Sequence, residues 1–140
     1  MTLNPFKKRP AKKVSSRASK SLVVPLEFDE QVMFVQWLQL KKLDHFSVPN
    51  ENNMSKLNKK TAIIQGGRAK KSGMQSGVQD MVVFTKKKIL FIEMKRRSMA
   101  LSTVSENQKK WAKIVGGYGY AEPFVAYGCD EAKIFVEKYL

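Results

Sequence analysis

Two kinds of hydrophobic spacing alternate along this chain, and together they predict an alternation of helices and strands. Residues 81–84 and 89–95 are short apolar runs rich in β-branched and aromatic side chains, which is typical of strands buried on both faces. The basic segment 85–88 between them predicts a turn, so we expect a β-hairpin here. Two further short segments, 45–49 and 123–127, predict the remaining strands.

Helical spacing of apolar residues predicts four helices around these strands. They cover residues 27–42, 54–69, 105–116 and 130–139. The second is expected to be broken or frayed at Gly66 and Gly67. The third begins with a capping box of Ser105 and Gln108 and is expected to end at the 116–117 glycine pair with a left-handed residue. The apolar face of the first helix is broad and consists of Val32, Met33, Val35, Trp37, Leu38 and Leu40.

The order of these elements predicts an α/β sandwich, in which a mixed sheet has helices on both faces. A chain of 140 residues fits one domain with a real core.

Residues 1–20 contain seven cations, no acidic residue and two prolines, so we predict a disordered basic arm ahead of a domain at 21–140. The arm either follows nucleic-acid phosphates or is a localisation signal or an inert tail.

The formal net charge of +14, with an isoelectric point near 10.0, predicts an anionic partner. Nucleic acid is the first candidate and an acidic membrane surface the second. One cysteine and one histidine exclude a disulfide framework and the usual kind of zinc site. No apolar run approaches the ~18 residues of a membrane span, and the N-terminus lacks a signal-peptide core. We therefore expect a soluble cytoplasmic protein.

Three polar side chains, Asp80, Glu93 and Lys95, interrupt the apolar hairpin at one end. Because strand side chains alternate, Glu93 and Lys95 share a face. A two-residue turn places Asp80 opposite Glu93, and a four-residue turn places it opposite Lys95. Either register puts all three groups on one face. Like charges this close together, half sheltered by an apolar sheet, are costly unless a cation lies between them.

Hard oxygen ligands from two strands suit Mg²⁺ or Mn²⁺, which keeps several waters and bridges to a phosphate. Beside such an ion, Lys95 is placed to orient an attacking water or to meet charge on a scissile phosphate. This pattern predicts metal-dependent phosphodiester hydrolysis. The alternative is that Glu93 and Lys95 form a salt bridge on a solvated strand face and that Asp80 is an ordinary turn residue.

Cations flank the hairpin on both sides. Arg68, Lys70 and Lys71 precede it and lead through Gly73 and Gly77 into the first strand. Glycine allows the backbone to approach a phosphate closely while the flanking cations attract it. A flexible surface loop has the same composition. The cations that we predict to bind DNA are Arg68, Lys70, Lys71, Arg96 and Arg97.

A series of segments runs from the first helix to the last. They are Glu30-Gln31 ahead of Trp37, residues 45–50, Arg68, residues 77–80, residues 91–95, residues 105–111, Gly119-Tyr120 and Glu131-Ala132. In order and spacing this set resembles the stand-alone VRR-NUC domains of the PD-(D/E)XK nuclease superfamily. Each motif is weak by itself, whereas the ordered set is specific and covers nearly everything after the basic arm. One departure is Gln79, where the family usually has a proline that stiffens the strand entry.

The resemblance implies a restriction-endonuclease-like sandwich and a Mg²⁺- or Mn²⁺-dependent DNA endonuclease. The implied metal ligands are Asp80, Glu93 and the Met94 carbonyl. The resemblance also implies that Lys95 assists the nucleophile and that Glu30 and Gln108 complete the site from the first and third helices. For Gln108, capping remains an equal alternative, since a residue in a first helical turn can do both.

Small free-standing members of the family, many of them from phages, resemble Holliday-junction resolvases and act as homodimers. The same domain in the Fanconi-associated repair nuclease cuts branched DNA such as flaps. The resemblance therefore implies a homodimer that cuts four-way junctions during recombination or repair, in a bacterium or a phage-infected host. Two alternatives are a nuclease for flaps or other branched DNA and a non-catalytic nucleic-acid-binding module. Sequence-specific restriction is disfavoured because no separate target-recognition domain is evident.

Overall fold

A mixed four-stranded sheet with strand order β1-β2-β3-β4 lies at the centre of the fold. The computed structural model describes residues 23–49 and 58–140. The predicted basic arm and the first residues of the second predicted helix lie outside this part of the chain. The strands are β1 (His45–Ser47), β2 (Met81–Phe84), β3 (Ile89–Lys95) and β4 (Ala121–Tyr127). The helices are α1 (Glu27–Leu40), α2 (Lys59–Lys71), α3 (Glu106–Gly116) and α4 (Cys129–Glu137).

Strands β2 and β3 form the predicted hairpin, and its register is the one that a two-residue turn produces. Met81 pairs with Ile92, and the antiparallel ladder ends where Phe84 pairs with Ile89. Beyond that pair, the Thr85 amide donates to the Lys88 carbonyl at 3.1 Å, which closes a two-residue turn. Strand β1 pairs antiparallel with β2, and β4 pairs parallel with β3.

One face of the hairpin packs against α1 and α4 to form the core. Its strand residues Met81, Val83, Leu90, Ile92 and Met94 are fully buried. They cluster with Phe34 and Leu38 of α1 and with Ala132, Phe135 and Val136 of α4. Each Val, Leu, Ile, Phe or Met side chain in this cluster contributes about 1.5–3 kcal/mol when fully buried. Helix α3 packs against β4 and reaches the opposite face of the sheet, so the predicted α/β sandwich is confirmed.

Two predicted helix features are wrong. Helix α2 is not broken at Gly66 and Gly67 but continues to Lys71, because a glycine inside a helix costs only about 1 kcal/mol. Helix α3 does not end with a left-handed residue, since Gly117 has a φ of −74°. The amides of Gly117 and Tyr118 instead donate to carbonyls three residues earlier, which satisfies the end of the helix with a tighter turn.

The buried side of α1 is narrower than its broad apolar face suggested. Phe34 and Leu38 are fully buried, whereas Leu40 is 82% exposed and Val32 and Met33 are partly exposed. None of the helices in the described ranges is long and apolar enough to cross a bilayer.

Candidate functional site

Asp80, Glu93 and Lys95 converge at the end of the hairpin that lies away from the turn. The register places Asp80, the residue before β2, opposite Glu93, and Lys95 Nζ lies 3.1 Å from Glu93 Oε1. Asp80 Oδ2 accepts a hydrogen bond from the Met94 amide at 2.9 Å. The three residues are only 7%, 2% and 7% exposed, so the alternative of a solvated strand face is wrong.

The two oxygens of Glu93 have different surroundings. Oε1 forms an ion pair with Lys95 and accepts a hydrogen bond from Gln108 Nε2, whereas buried Oε2 has no hydrogen-bond partner within the described residues. Burial, and after it the charge of Asp80, raise the pKa of Glu93 to about 7 against the opposing effect of Lys95. A buried acceptor without a partner costs about 1–3 kcal/mol, and a cation at this point would remove both this cost and the repulsion.

Gln108 caps α3 and also contacts Glu93, while its role in the chemistry stays a prediction. Its amide accepts from the Ser105 backbone at 2.9 Å, and the Ser105 hydroxyl accepts from the Gln108 backbone at 3.2 Å, which is a complete capping box. Its side-chain nitrogen also donates to Glu93 Oε1. The helix cap therefore fixes the orientation of the amide that holds one oxygen of Glu93.

The donor set at this end of the hairpin fits a hard divalent cation. Directly opposed strand residues have Cβ atoms about 4.5–5.5 Å apart, close enough for Asp80 and Glu93 to bind one ion. Mg²⁺ is usually held by one or two carboxylates and keeps several waters. In the described ranges, no three or more His, Cys, Asp or Glu side chains are grouped to hold a metal. The ligands available to a divalent cation here are therefore two carboxylates, water and a backbone carbonyl such as that of Met94.

Glu30 lies in a separate group of contacts. It is fully buried, its Oε1 accepts from Arg97 Nε at 2.5 Å, and its Oε2 accepts from the Cys129 amide at 2.8 Å. Burial alone raises the pKa of Glu30, but the hydrogen bonds from Arg97 and Cys129 outweigh it and the net pKa is lowered. Both oxygens thus hold structural partners, and a role for Glu30 in the chemistry stays a prediction.

Glu27 is a carboxylate near the site that the sequence analysis did not single out. Burial raises its pKa, and the charges of Lys95 and Asp80 act on it in opposite directions. Its position follows from helical spacing, since Glu27 lies one turn before Gln31, and Gln31 Nε2 donates to the sulfur of Met81 at 3.4 Å. Because the sequence does not show which side of α1 faces the hairpin, it offered no signal that could have identified Glu27.

The five predicted DNA-binding cations fall into two groups. Arg68, Lys70 and Lys71 are exposed near the end of α2. The guanidinium of Arg96 instead donates to the Pro25 and Val24 carbonyls, and that of Arg97 pairs with Glu30. The last two therefore tie the chain to itself, although the Arg97 side chain remains 48% exposed.

The glycines before the hairpin have different surroundings from one another. Gly77 has a φ of +83°, and a Cβ at this position would lie 2.5 Å from the backbone carbon of Asn107. Its close approach is therefore to the first turn of α3, and an approach to a phosphate stays a prediction. Gly73 has a φ of +94° and open space around it.

Two of the cavities among the described residues lie at opposite ends of the sheet. One of about 530 Å³ lies beside the hairpin turn, is lined in part by Lys42, Thr85 and Lys86, and contains no predicted site residue. The other, of about 90 Å³, is lined in part by Glu93 and Gln108.

No family model matches the chain, and no curated protein matches it. A solved structure described as a VRR_NUC domain protein has a TM-score of 0.65 and 19% sequence identity to this chain. The match covers 85% of this chain and 91% of the other. With α-helices on both faces of a mixed sheet, this chain has the restriction-endonuclease-like fold of that VRR_NUC domain protein.

Proposed function

We propose that this protein is a metal-dependent DNA endonuclease that hydrolyses phosphodiester bonds. The observation that supports it is the burial of Asp80, Glu93 and Lys95 together, with Glu93 Oε2 lacking a partner among the described residues. Charged groups are rarely buried unless they are paired or bind a metal. Two acids and one amine leave an excess of negative charge, which a divalent cation balances.

In this proposal, Asp80, Glu93 and the Met94 carbonyl hold Mg²⁺ or Mn²⁺. When bound, such an ion lowers the pKa of a water and offsets charge on the scissile phosphate. Lys95 holds its ammonium beside Glu93, where it can orient the attacking water or interact with charge that develops on the phosphate. Gln108 fixes Glu93 Oε1 and leaves Oε2 for the ion.

The proposed substrate is branched DNA, with the four-way junction first among branched forms. The net charge of +14 favours a polyanion, and the exposed cations of α2 are proposed to contact its phosphates. Two cuts on symmetrically placed strands need two related active sites, which a two-fold homodimer supplies. The exposed apolar side chains of α1, Phe28 and Leu40 among them, are candidates for the dimer surface.

The test compares cleavage and binding of one labelled synthetic four-way junction. We expect Glu93→Gln and Lys95→Ala to lower the cleavage rate in Mg²⁺ or Mn²⁺ by at least about 10²-fold, as the loss of one electrostatic catalytic group does. Binding in Ca²⁺ or EDTA should remain nearly unchanged. Lys88→Ala is the matched control, because it removes one ammonium from the far end of the same hairpin, where Lys88 pairs with Glu122.

Normal cleavage by Glu93→Gln or Lys95→Ala would show that the chemistry is elsewhere. Binding without cleavage by the unmodified protein, in both metals, would favour a non-catalytic nucleic-acid-binding module. Matched four-way, flap, fork and linear duplex substrates in one experiment then determine which branched structure is preferred, with the Glu93→Gln protein as the background control.

A further inference from the structure

Gln79 is a buried polar residue beside the proposed metal site. It immediately precedes Asp80, is 2% exposed, and its side-chain oxygen has no hydrogen-bond partner among the described residues. An unsatisfied buried acceptor costs about 1–3 kcal/mol. A buried polar atom that carries this cost without a partner calls for an explanation.

A small cavity lies beside Gln79. Its volume is about 90 Å³, and Gln79, Glu93 and Gln108 supply its polar lining. Its apolar walls come from α3 and β4, at Ala112 and Val125 among others. A water needs about 10–15 Å³ of such space and two to four polar partners. The cavity therefore has room for several waters and polar side chains to bind them.

Glu93 Oε2 is the second buried acceptor without a partner in the described part of the chain, and its residue lines the same cavity. While Glu93 is ionised, the two acceptors cannot satisfy each other, so both need a donor or a cation. The nitrogen of Gln108 donates to the other oxygen of Glu93, and no donor among the described residues reaches either of these two acceptors. A water that is itself bound to a cation can donate to the amide while the cation binds the carboxylate.

We propose that Gln79 holds a metal-bound water in this cavity and so positions the divalent cation bound by Glu93. The inference rests on the proposed function, since it requires an ion at Asp80 and Glu93. It makes Gln79 a positioning residue that acts through water. Gln79 is also the position at which this chain departs from the proline that is usual in the family it resembles, so the inference assigns a role to that difference.

The test measures Mn²⁺ binding by calorimetry and thermal unfolding, with no DNA present. In Gln79→Leu we expect the Kd for Mn²⁺ to rise by about tenfold, the lower range for loss of an outer-shell partner. Without metal, the same variant should unfold at the same or a higher temperature, because an unsatisfied polar group has been removed. A purely structural role for Gln79 would instead lower the metal-free unfolding temperature and leave the Kd unchanged.

Gln79→Glu is the second variant, and its effects should be opposite. It keeps an acceptor and adds a charge, so Mn²⁺ should bind more tightly, while repulsion from Asp80 and Glu93 should lower the metal-free unfolding temperature. An unchanged Kd in both variants would overturn the inference and leave the proposed function standing. Absence of Mn²⁺ binding by the unmodified protein would contradict the proposed metal site itself.

Discussion

Two glutamates with almost no exposed surface, Glu30 and Glu93, have pKa values that shift in opposite directions. Burial disfavours the charge of both. The Glu30 carboxylate accepts hydrogen bonds from the Arg97 guanidinium and from the backbone amide of Cys129, and together these bonds stabilise its charge. Glu93 lies opposite Asp80 and keeps one oxygen without a partner in the described ranges. At the residue scale, a surplus or a shortage of donors therefore distinguishes a structural acid from a candidate metal ligand.

This contrast predicts that Glu30→Gln alters the acid stability of the protein and leaves Mn²⁺ binding unchanged. A lowered pKa in the folded state stabilises the protein above the unfolded value of 4.5, and this contribution is lost as the pH falls through the folded value. Glu30→Gln should lose about 1.5 kcal/mol at pH 7, the low end for a charged hydrogen bond, because Arg97 is half exposed. Its stability should change less than that of the unmodified protein below pH 4.5.

Urea unfolding from pH 3 to pH 7 measures this difference, and calorimetry with Mn²⁺ tests the second half of the prediction. Glu93→Gln is the matched control, since it makes the same chemical change at the other buried acid and should abolish tight Mn²⁺ binding. A comparable loss of Mn²⁺ affinity in Glu30→Gln would instead support the role in the site that the family resemblance implied.

At the scale of elements, the hairpin could be predicted from the sequence, but the side of α1 that faces the core could not. Side chains on a strand have only two directions, so the positions of Glu93 and Lys95 followed from counting. Helix α1 has apolar residues on most sides, and its pattern does not identify Phe34 and Leu38 as the buried pair. For the same reason, the sequence could not show that Glu30 turns towards α4.

We predict that replacing Gly77, in the segment before the hairpin, also disturbs α3. Gly77→Ala should destabilise the protein by about 1–2 kcal/mol for a left-handed residue, plus about 1–3 kcal/mol for the clash with Asn107. Because the clash is with the first turn of α3, which contains Gln108, Mn²⁺ affinity should fall as well. Gly73→Ala is the matched control, since its φ is also positive but its surroundings are open.

Urea unfolding and Mn²⁺ calorimetry of the two alanine variants separate backbone strain from close approach. The control should lose only the first 1–2 kcal/mol and keep its metal affinity. Equal losses in the two variants would mean that α3 moves away without cost and that its cap does not depend on the contact with Gly77.

At the scale of the whole molecule, the net charge does not show which cations are available to a partner. The net charge of +14 predicts a polyanionic partner, but composition alone cannot say which surface meets it. Arg96 and Arg97 illustrate the limit, because the structure uses their guanidinium groups to hold the chain before α1 and the buried Glu30. Helix α2 is the opposite case. It buries none of its own side chains and has Arg68, Lys70 and Lys71 in its last turn.

We therefore predict that α2 contributes a specific share of the salt dependence of DNA binding. Each phosphate contact adds about 0.9 to the slope of log K against log salt concentration on duplex DNA. Replacing Arg68, Lys70 and Lys71 with alanine should lower the magnitude of that slope by about 2–3 if each contacts a phosphate. Binding of an uncleaved junction in Ca²⁺ between about 50 and 200 mM salt measures it.

The matched control removes the same charge at the far end of the sheet, where Lys42 and Lys86 line the larger cavity and Lys87 lies in the hairpin turn. Alanine at these three positions lowers the net charge equally but should leave the slope nearly unchanged, because counterions are released only where phosphates are contacted. Equal reductions in the two triple variants would mean that DNA responds to the overall charge of the molecule and that α2 is not a distinct contact surface. A smaller slope for the α2 variant alone, with the cleavage rate of bound junction preserved, would separate the binding surface from the chemistry at Glu93.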